Sequence, residues 1–215
     1  MAIIIGTISQ KGGVGKSSMA RLIAGEYAKS QWAVKIADID TRQGTVRDWQ
    51  TTRIKNRHQP EIAVELFSSV EKALGESSHY DMMILDGAPK SDRDTLEIAK
   101  GSDFVILPTA TGADDLRPTI KLAHGLKREG IPTNQIGFVL WRTVESESEI
   151  NAARNEIEDN GYQIFKEWIP TKTGYLMALD KGLTVAETSY DSLNKRALRL
   201  VKEINKRVQH IEEQE

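Results

Sequence analysis

The sequence contains no cysteine among its 215 residues. This absence excludes disulfide bonds, zinc sites built on cysteine, and iron–sulfur clusters ligated by this chain. Long apolar runs are missing too, since stretches such as MAIII (1–5) and MMIL (82–85) fall far short of the roughly 20 residues that cross a bilayer. The amino terminus also lacks a basic region followed by a long apolar one, so we expect no secretory signal and a cytoplasmic protein.

A charge excess of either sign is nearly absent, because 29 basic residues face 31 acidic ones and leave a formal charge of −2. Such a chain has no general attraction to nucleic acid, and contact with DNA requires a local basic patch. No segment rich in proline, glycine or serine divides the sequence. Residues 1–215 are therefore predicted to form one domain.

Short apolar runs alternate along the chain with segments of helical periodicity. The runs are AIIIGTIS, AVKIADID, IAVELF, YDMMILD, DFVILP, IGFVLW and YQIFKEWI. The helical candidates are residues 17–30, 45–57, 91–102, 115–130, 149–161 and 189–214. This order predicts an α/β fold with a doubly wound, mostly parallel sheet and helices on both faces. Such sheets bind ligands at the carboxyl ends of their strands, so the residues after each run are the candidates for chemistry.

The segment after the first strand is rich in glycine and reads ISQKGGVGKSS (8–18). Its glycines allow the backbone amides to turn toward an anion. Lys16 can reach the terminal phosphates of a nucleotide, and the Ser17 hydroxyl can bind Mg²⁺. A glycine turn that binds nothing is the alternative, but a strand before it and a helix after it favour a nucleoside triphosphate site. The predicted phosphate-binding residues are Gly12, Gly13, Val14, Gly15, Lys16, Ser17 and Ser18.

The loop has a second lysine, Lys11, and KGGVGKSS (11–18) resembles the deviant Walker A motif, K-G-G-x-G-K-[ST]-[ST], of the ParA/MinD family of ATPases. The resemblance covers the chain from about Ile3 to about Val201. In that family the additional lysine crosses a nucleotide-sandwich dimer and contacts phosphates bound by the partner, which implies this role for Lys11. A second cation near the transferred phosphoryl group stabilises its charge, so catalysis would depend on dimerisation. A solvated loop lysine is the alternative.

Two strand ends carry the predicted carboxylates. Asp38 and Asp40 share one side of an extended strand, because side chains alternate with period two. By resemblance to the family, Asp40 orients the attacking water and Asp38 supports it or the metal shell. Asp86, at the end of YDMMILD, would hold the Mg²⁺ shell through water. Taken alone, Asp38 and Asp40 fit solubilising charges at a strand end better, and an aspartate that ends a buried strand is common, so the assignment of all three depends on the glycine loop.

Other segments match the family less closely. The family commonly continues its D-x-D motif with Pro-Gln, whereas TRQ (41–43) follows Asp40 here. Pro108 and Asp115 occupy positions that the family often fills, and the resemblance assigns them to the dimer surface or to a switch.

Candidate contacts for the adenine lie in the last third of the chain. Arg142 occupies the place of a family arginine near the base, and residues 168–187 resemble the family segment whose loop flanks the base. Pro170, Thr171 and Lys172 are therefore predicted to contact the adenine. The alternative is that Pro170 ends a strand and the following residues form a solvated loop.

The last helical candidate is basic on one face, with Glu203 as the one acid between Lys195 and Val208. Such a face could bind DNA phosphates without reading sequence, as ParA-type partition ATPases do on the nucleoid. An ordinary solvated helix face is the alternative. A MinD-like membrane anchor would need bulky apolar residues where this chain has VQHIEEQE (208–215), so membrane targeting is disfavoured. The predicted DNA-binding residues are Lys195, Arg196, Arg199, Lys202 and Lys206.

These features together predict a P-loop ATPase that uses ATP and Mg²⁺ and is most like the short ParA-type plasmid partition proteins. It would form a homodimer with ATP, bind DNA non-specifically on the nucleoid, and hydrolyse ATP when a cargo-bound ParB-like adaptor stimulates it. A positioner of a protein cargo, such as a microcompartment or receptor cluster, stays open within the same fold. A metabolic ATP-dependent synthetase is the alternative from another class; it predicts a buried polar substrate pocket and no role for Lys11 across a dimer.

Overall fold

The structure is a computed structural model that describes residues 2–41, 44–89 and 92–213. Within these ranges the chain forms an eight-stranded sheet in which every paired strand is parallel. The strands are β1 (Ile3–Thr7), β2 (Val34–Asp38), β3 (Ala63–Leu66), β4 (Met82–Asp86), β5 (Phe104–Thr109), β6 (Ile136–Thr143), β7 (Gln163–Ile164) and β8 (Ile169–Pro170). The strand order is β3-β2-β4-β1-β5-β6-β7, and β8 lies off this path and pairs with Trp141 and Thr143 of β6.

Helices cover both faces of this sheet, because successive residues of each strand point to opposite sides. The helices are α1 (Lys16–Lys29), α2 (Thr45–Lys55), α3 (Val70–Leu74), α4 (Asp92–Lys100), α5 (Ala113–Arg128), α6 (Glu147–Asp159), α7 (Thr173–Asp180) and α8 (Asp191–Glu212). In β1, Ile3 and Ile5 pack in one hydrophobic cluster with α1, α2, α7 and α8, whereas Ile4 packs in the other with α3 to α6. The predicted α/β fold is therefore confirmed.

Three regions differ from the sequence-based expectation. The run YQIFKEWI forms two separate strands of two residues each, β7 and β8. It is interrupted because the backbone N–H groups of Lys166 and Glu167 donate to the carboxylate of Glu203 instead of to a neighbouring strand. The short helices α3 and α7 were not predicted, since five and eight residues are too few to establish a helical period.

The edge of the sheet that carries the predicted site is built by β1, β2 and β4. The strand register places Asp86 beside both Thr7 and Asp38. The carboxyl ends of these three strands therefore meet where the glycine loop leaves β1. No helix in the described part of the chain is long and apolar enough to cross a membrane.

Helix α2 is fixed to a distant part of the chain by Arg53. This side chain is only 1% exposed and donates to the carboxylate of Glu187 at 2.9 Å and to the backbone oxygen of Gly182 at 3.1 Å. The indole N–H of Trp49 donates to the backbone oxygen of Leu183 at 2.9 Å. Helix α2 and the segment after α7 therefore form one packed unit.

Candidate functional site

The glycine loop turns sharply between β1 and α1. Gly13 and Gly15 have φ values of 77° and 112°, in the left-handed region that favours glycine. A Cβ atom on Gly15 would lie 2.2 Å from Cδ1 of Trp141, whereas one on Gly12 would have no other atom within 4 Å. Glycine at position 15 is therefore required both by its backbone conformation and by its contact with β6. Helix α1 then begins at Lys16, and its first amides are suited to an anion.

A pocket opens at this loop and brings together most of the predicted nucleotide contacts. It is lined by loop residues, by Asp40, and by residues from the ends of β6 and β8. Val14, by contrast, is buried, with 8% of its surface exposed. The predicted residues that line the pocket are Gly12, Gly13, Gly15, Lys16, Ser17, Ser18, Asp40, Arg142, Pro170, Thr171 and Lys172.

Lys16 is buried at the base of the pocket, with 7% of its surface exposed. Its Nζ donates to the backbone oxygen of Lys11 at 3.3 Å. Burial lowers the pKa of Lys16, and attraction from Asp86 and Asp40 opposes that change. The site therefore holds a partly desolvated ammonium group close to two carboxylates, which is suited to a phosphate chain.

Asp86 and Asp38 are each 1% exposed and lie on neighbouring strands. The hydroxyl of Thr7 donates to Oδ1 of Asp86 at 3.2 Å, and Asp86 shares a side-chain hydrogen bond with Ser17. Burial raises the pKa of Asp86 against the effects of Ser17 and Lys16. Burial also raises the pKa of Asp38 to about 7, and repulsion from Asp86 adds to this rise.

The donor set at these strand ends fits Mg²⁺. The hydroxyl of Ser17 and the carboxylate of Asp86 are hard oxygen ligands of the kind that Mg²⁺ takes beside phosphates. In Asp38, Oδ1 accepts the backbone N–H of Asp40 at 3.0 Å, whereas Oδ2 is buried with no hydrogen-bond partner in the described residues. A water molecule bound to the metal would satisfy that oxygen.

Asp40 lies at the wall of the pocket and is half-buried. The carboxylates of Asp38 and Asp40 thus differ in position, the first beneath the pocket and the second in its lining. Among the residues that follow, Thr41 donates its backbone N–H to the oxygen of Ile39 at 3.0 Å. Arg42 and Gln43, where the sequence departs from the family pattern, lie outside the described residues.

Lys11 is anchored within its own chain. Its Nζ forms an ion pair with Oδ1 of Asp115 at 2.6 Å and donates to the backbone oxygen of Asp114 at 3.4 Å. Both acidic residues belong to the first turn of α5. Of the two positions that the resemblance assigned to a surface or switch, Asp115 contacts Lys11, whereas Pro108 is buried within β5 and offers no surface.

The residues predicted to contact the adenine line the wall of the pocket that is formed by the ends of β6 and β8 and the residues that follow them. Nη1 of Arg142 donates to the backbone oxygen of Gly13 at 2.7 Å, so this arginine closes on the loop. Lys172 forms an ion pair with Glu145 and precedes the first turn of α7. The apolar lining of this side was not predicted from the sequence. Those residues are Trp141, Ile169, Tyr175, Leu176, Leu179 and Val185.

Arg21 is a charged residue of the pocket lining that was not predicted from the sequence. It lies in α1 and is 7% exposed. The sequence does contain a signal for this residue, because a charged side chain beside Leu22 and Ile23 interrupts the buried stripe of α1, and charged residues are rarely buried without a partner.

The predicted basic face of α8 is partly neutralised. Lys195 pairs with Asp191 at 2.7 Å, and Arg199 pairs with Glu167. The guanidinium of Arg196 lies 4.2 Å from the ring centre of Trp168, with the side chain 24% exposed. Lys202 and Lys206 are exposed, and no ion pair is found for either within the described residues.

Residues 5–185 match the family model described as the CobQ/CobB/MinD/ParA nucleotide binding domain. Because this match spans most of the chain, the chain belongs to that family of nucleotide-binding proteins. The predicted resemblance to ParA/MinD proteins is thereby confirmed. The chain has no significant match among curated protein sequences.

Solved structures with the same fold include three that share little sequence with this chain. The septum site-determining protein MinD of Pyrococcus horikoshii, complexed with Mg-ADP, has a TM-score of 0.75 at 18% identity, covering 98% of this chain and 99% of that one. Cyanothece apo McdA has a TM-score of 0.71 at 19% identity, covering 94% and 99%. A putative plasmid partition protein of Borrelia burgdorferi, bound to AMPPNP, has a TM-score of 0.64 at 16% identity, covering 94% and 99%.

Proposed function

We propose that this chain is a ParA-type ATPase. It binds ATP with Mg²⁺, forms a homodimer in that state, attaches to DNA without sequence preference, and hydrolyses ATP when a cargo-bound ParB-like adaptor stimulates it. The observation that carries the proposal is the meeting of Lys16, Ser17 and Asp40 at one pocket whose other side is apolar. A phosphate chain joined to a flat, largely apolar base matches this division. The Mg-ADP and AMPPNP complexes of the similar MinD and plasmid partition proteins support it.

At the phosphate end, the chain would use its own groups in distinct roles. Lys16 would contact the β and γ phosphates, and Asp40 would accept a hydrogen bond from the attacking water and orient it. Ser17 and Asp86 would hold Mg²⁺, with Asp38 contacting its bound water. When bound, Mg²⁺ neutralises charge that develops on the phosphates.

Lys11 would supply a cation to the phosphates of the partner subunit. In one chain its ammonium group is paired with Asp115 at 2.6 Å, so crossing to the partner requires that this pair breaks. A partly exposed ion pair contributes at most about 1 kcal/mol. A hydrogen bond from this ammonium group to a charged phosphate oxygen contributes about 1.5–3 kcal/mol. The exchange of partners is therefore favourable once two chains enclose the nucleotides.

DNA binding would depend on α8. Lys202 and Lys206 are exposed, and the carboxylate of the intervening Glu203 is already bonded to the backbone N–H groups of Lys166 and Glu167. Two lysines bind a duplex weakly, but a dimer presents two such faces and gains avidity. Binding through phosphates would show little sequence preference and would weaken steeply with salt.

The test is sedimentation velocity with ATP or ADP, each with and without a duplex of arbitrary sequence. We expect a dimer with ATP alone and a larger complex when DNA is added. The double variant Lys202→Glu/Lys206→Glu should still dimerise but lose the DNA complex. Its control is Lys121→Glu/Lys127→Glu, which makes the same charge change on exposed positions of α5 and should bind DNA normally.

Two outcomes would contradict the proposal. If ATP binds without causing dimerisation, the sandwich-dimer cycle fails and the metabolic synthetase becomes the better interpretation. If the dimer forms but does not bind DNA, the DNA-binding step of the proposal fails. A positioner of a protein cargo that does not bind DNA then becomes the better interpretation. A duplex of unrelated sequence separates non-specific binding from sequence readout.

A further inference from the structure

The residue in question is Arg21, on the face of α1 that lines the pocket. Helix α1 begins at Lys16, so Arg21 lies just over one turn beyond the lysine predicted to bind phosphate. Its side chain is 93% buried, since only 7% is exposed. A buried guanidinium is costly unless other groups compensate its charge. Burial lowers the pKa of Arg21, and attraction from Asp86 and Asp38 opposes that change.

The contacts of Arg21 lead to the beginning of α2. Its Nη2 donates to the backbone oxygen of Thr45, the first residue of α2, at 2.6 Å. Its guanidinium carbon lies 5.3 Å from the ring centre of Trp49, one turn further along α2. Its Nε is buried with no hydrogen-bond partner in the described part of the chain. The side chain therefore links α1 to α2 and retains one unused donor.

Thr45 closes the segment that contains Asp40. We call residues 38–41 and 44–45 the switch segment. Asp38 holds its first part by accepting the N–H of Asp40, and the N–H of Gly44 donates to the oxygen of Asp40 at 3.1 Å. Asp38 also accepts the N–H of Val46, just beyond the segment. Arg21 binds the backbone oxygen of Thr45 from the side of α1. The position of Asp40 is therefore fixed both by Asp38 and, through Thr45, by Arg21.

We propose that Arg21 is a positioning residue that fixes the switch segment against α1 and thereby sets the place of Asp40 in the pocket. A carbonyl in the first turn of a helix is an ordinary acceptor for the amide four residues later, so the helix itself does not require this arginine. An arginine fork that both donates and stacks holds a backbone more rigidly than a lysine would. The proposal rests on the ATPase function proposed above and adds a residue to it.

The test compares Arg21→Met and Arg21→Lys with the unmutated protein. Arg21→Met removes the charge and the donors but keeps an apolar side chain of similar length, while Arg21→Lys keeps the charge. Arg47→Met is the control, because Arg47 is an exposed arginine of α2. Amide hydrogen exchange of residues 38–48 is measured with and without ATP, together with ATP affinity by calorimetry and steady-state hydrolysis.

For Arg21→Met we expect exchange within residues 38–48 to be at least about 10-fold faster, with the remaining amides of the sheet unchanged. We expect kcat to fall at least about 10-fold while the dissociation constant for ATP changes less than about 3-fold, because positioning and not phosphate contact is lost. Arg21→Lys should fall between these values, and Arg47→Met should match the parent.

Unchanged exchange in residues 38–48 of a folded variant would overturn the proposal. A parallel loss of ATP affinity and kcat would also overturn it, since that would make Arg21 a phosphate ligand. If Arg21→Met does not fold, the same exchange, kcat and ATP-affinity measurements on Arg21→Lys decide between these outcomes. Should the parent protein not hydrolyse ATP at all, the proposed function fails, whereas the exchange comparison still tests the role of Arg21.

Discussion

Replacing Asp115 with asparagine should strengthen ATP-dependent dimerisation. The change removes the carboxylate that holds Nζ of Lys11 at 2.6 Å and leaves a side chain of nearly the same shape. The remaining contact of Lys11, a 3.4 Å bond to the backbone oxygen of Asp114, is long and weak. The ammonium group is then free to meet a partner's phosphates without first breaking an ion pair.

The magnitude follows from the exposure of the pair. The side chains of Lys11 and Asp115 are 48% and 24% exposed, so the ion pair lies in the range of about 0.2–1 kcal/mol measured for surface pairs. A symmetric dimer breaks two such pairs, which makes about 0.4–2 kcal/mol per dimer. The dimer dissociation constant should therefore fall by a factor of about 2–30.

The assay is sedimentation equilibrium in saturating ATP over a range of protein concentrations. Asp114→Asn is the matched control, because it makes the same chemical change at the adjacent residue, which contacts Lys11 only through its backbone oxygen. The advantage of Asp115→Asn should shrink as salt is raised, since a partly exposed pair is screened. The double variant Lys11→Ala/Asp115→Asn should show no advantage over Lys11→Ala alone.

Weaker or equal dimerisation of Asp115→Asn, in a protein that still binds ATP, would refute this reasoning. It would mean that Asp115 contributes to the dimer surface itself or that Lys11 does not leave it. The behaviour of the Lys11→Ala background separates these two explanations, because only a direct contribution of Asp115 would persist there.

Three further predictions concern the pocket. Gly15→Ala should lower the free energy of unfolding in urea by about 2–5 kcal/mol, combining left-handed strain with overpacking against β6, while Gly12→Ala should cost little. In the presence of EDTA at pH 8, the free energy of unfolding of Asp38→Asn should exceed that of the parent by up to about 4 kcal/mol. The control Asp48→Asn should show no such increase. The pKa of Asp38 is raised to about 7 in the folded parent, so the parent loses stability as pH rises from about 4 through 7. The stability gain of Asp38→Asn should therefore vanish near pH 4. Asp40→Ala should bind ATP and persist as a dimer while hydrolysis stops; normal turnover in a phosphate-release assay would exclude Asp40 as the water-orienting residue.

The end of the pocket that we propose binds phosphate could be predicted from sequence because its residues are consecutive or end strands. The loop at 11–18, Asp38 and Asp86 follow apolar runs, and parallel strands necessarily bring such ends to one edge. Periodicity likewise predicted the long helices, since each shows a buried stripe over several turns.

The parts that could not be predicted depend on packing between distant segments. The apolar side of the pocket includes Tyr175 and Leu179 of α7, a helix of eight residues whose type no short pattern determines. The pairing of Lys11 with Asp115 depends on where α5 begins relative to the loop, 104 positions away in sequence. Arg21 appears as a single charge in a helix, and only the position of Thr45 shows what it holds.

The burial of Arg53 has a consequence for the order in which the chain can fold. The backbone oxygens of Gln59 and Pro60 also accept from Arg53, but Glu187, the carboxylate that neutralises it, lies 134 residues further along, so a ribosome has made the glycine loop and α2 long before it makes this carboxylate. Until then, docking α2 would bury an unpaired charge, which is strongly unfavourable. The nascent chain is therefore expected to keep α2 undocked, and fragments that stop before residue 187 should bind nucleotide poorly even though they contain every residue of the loop.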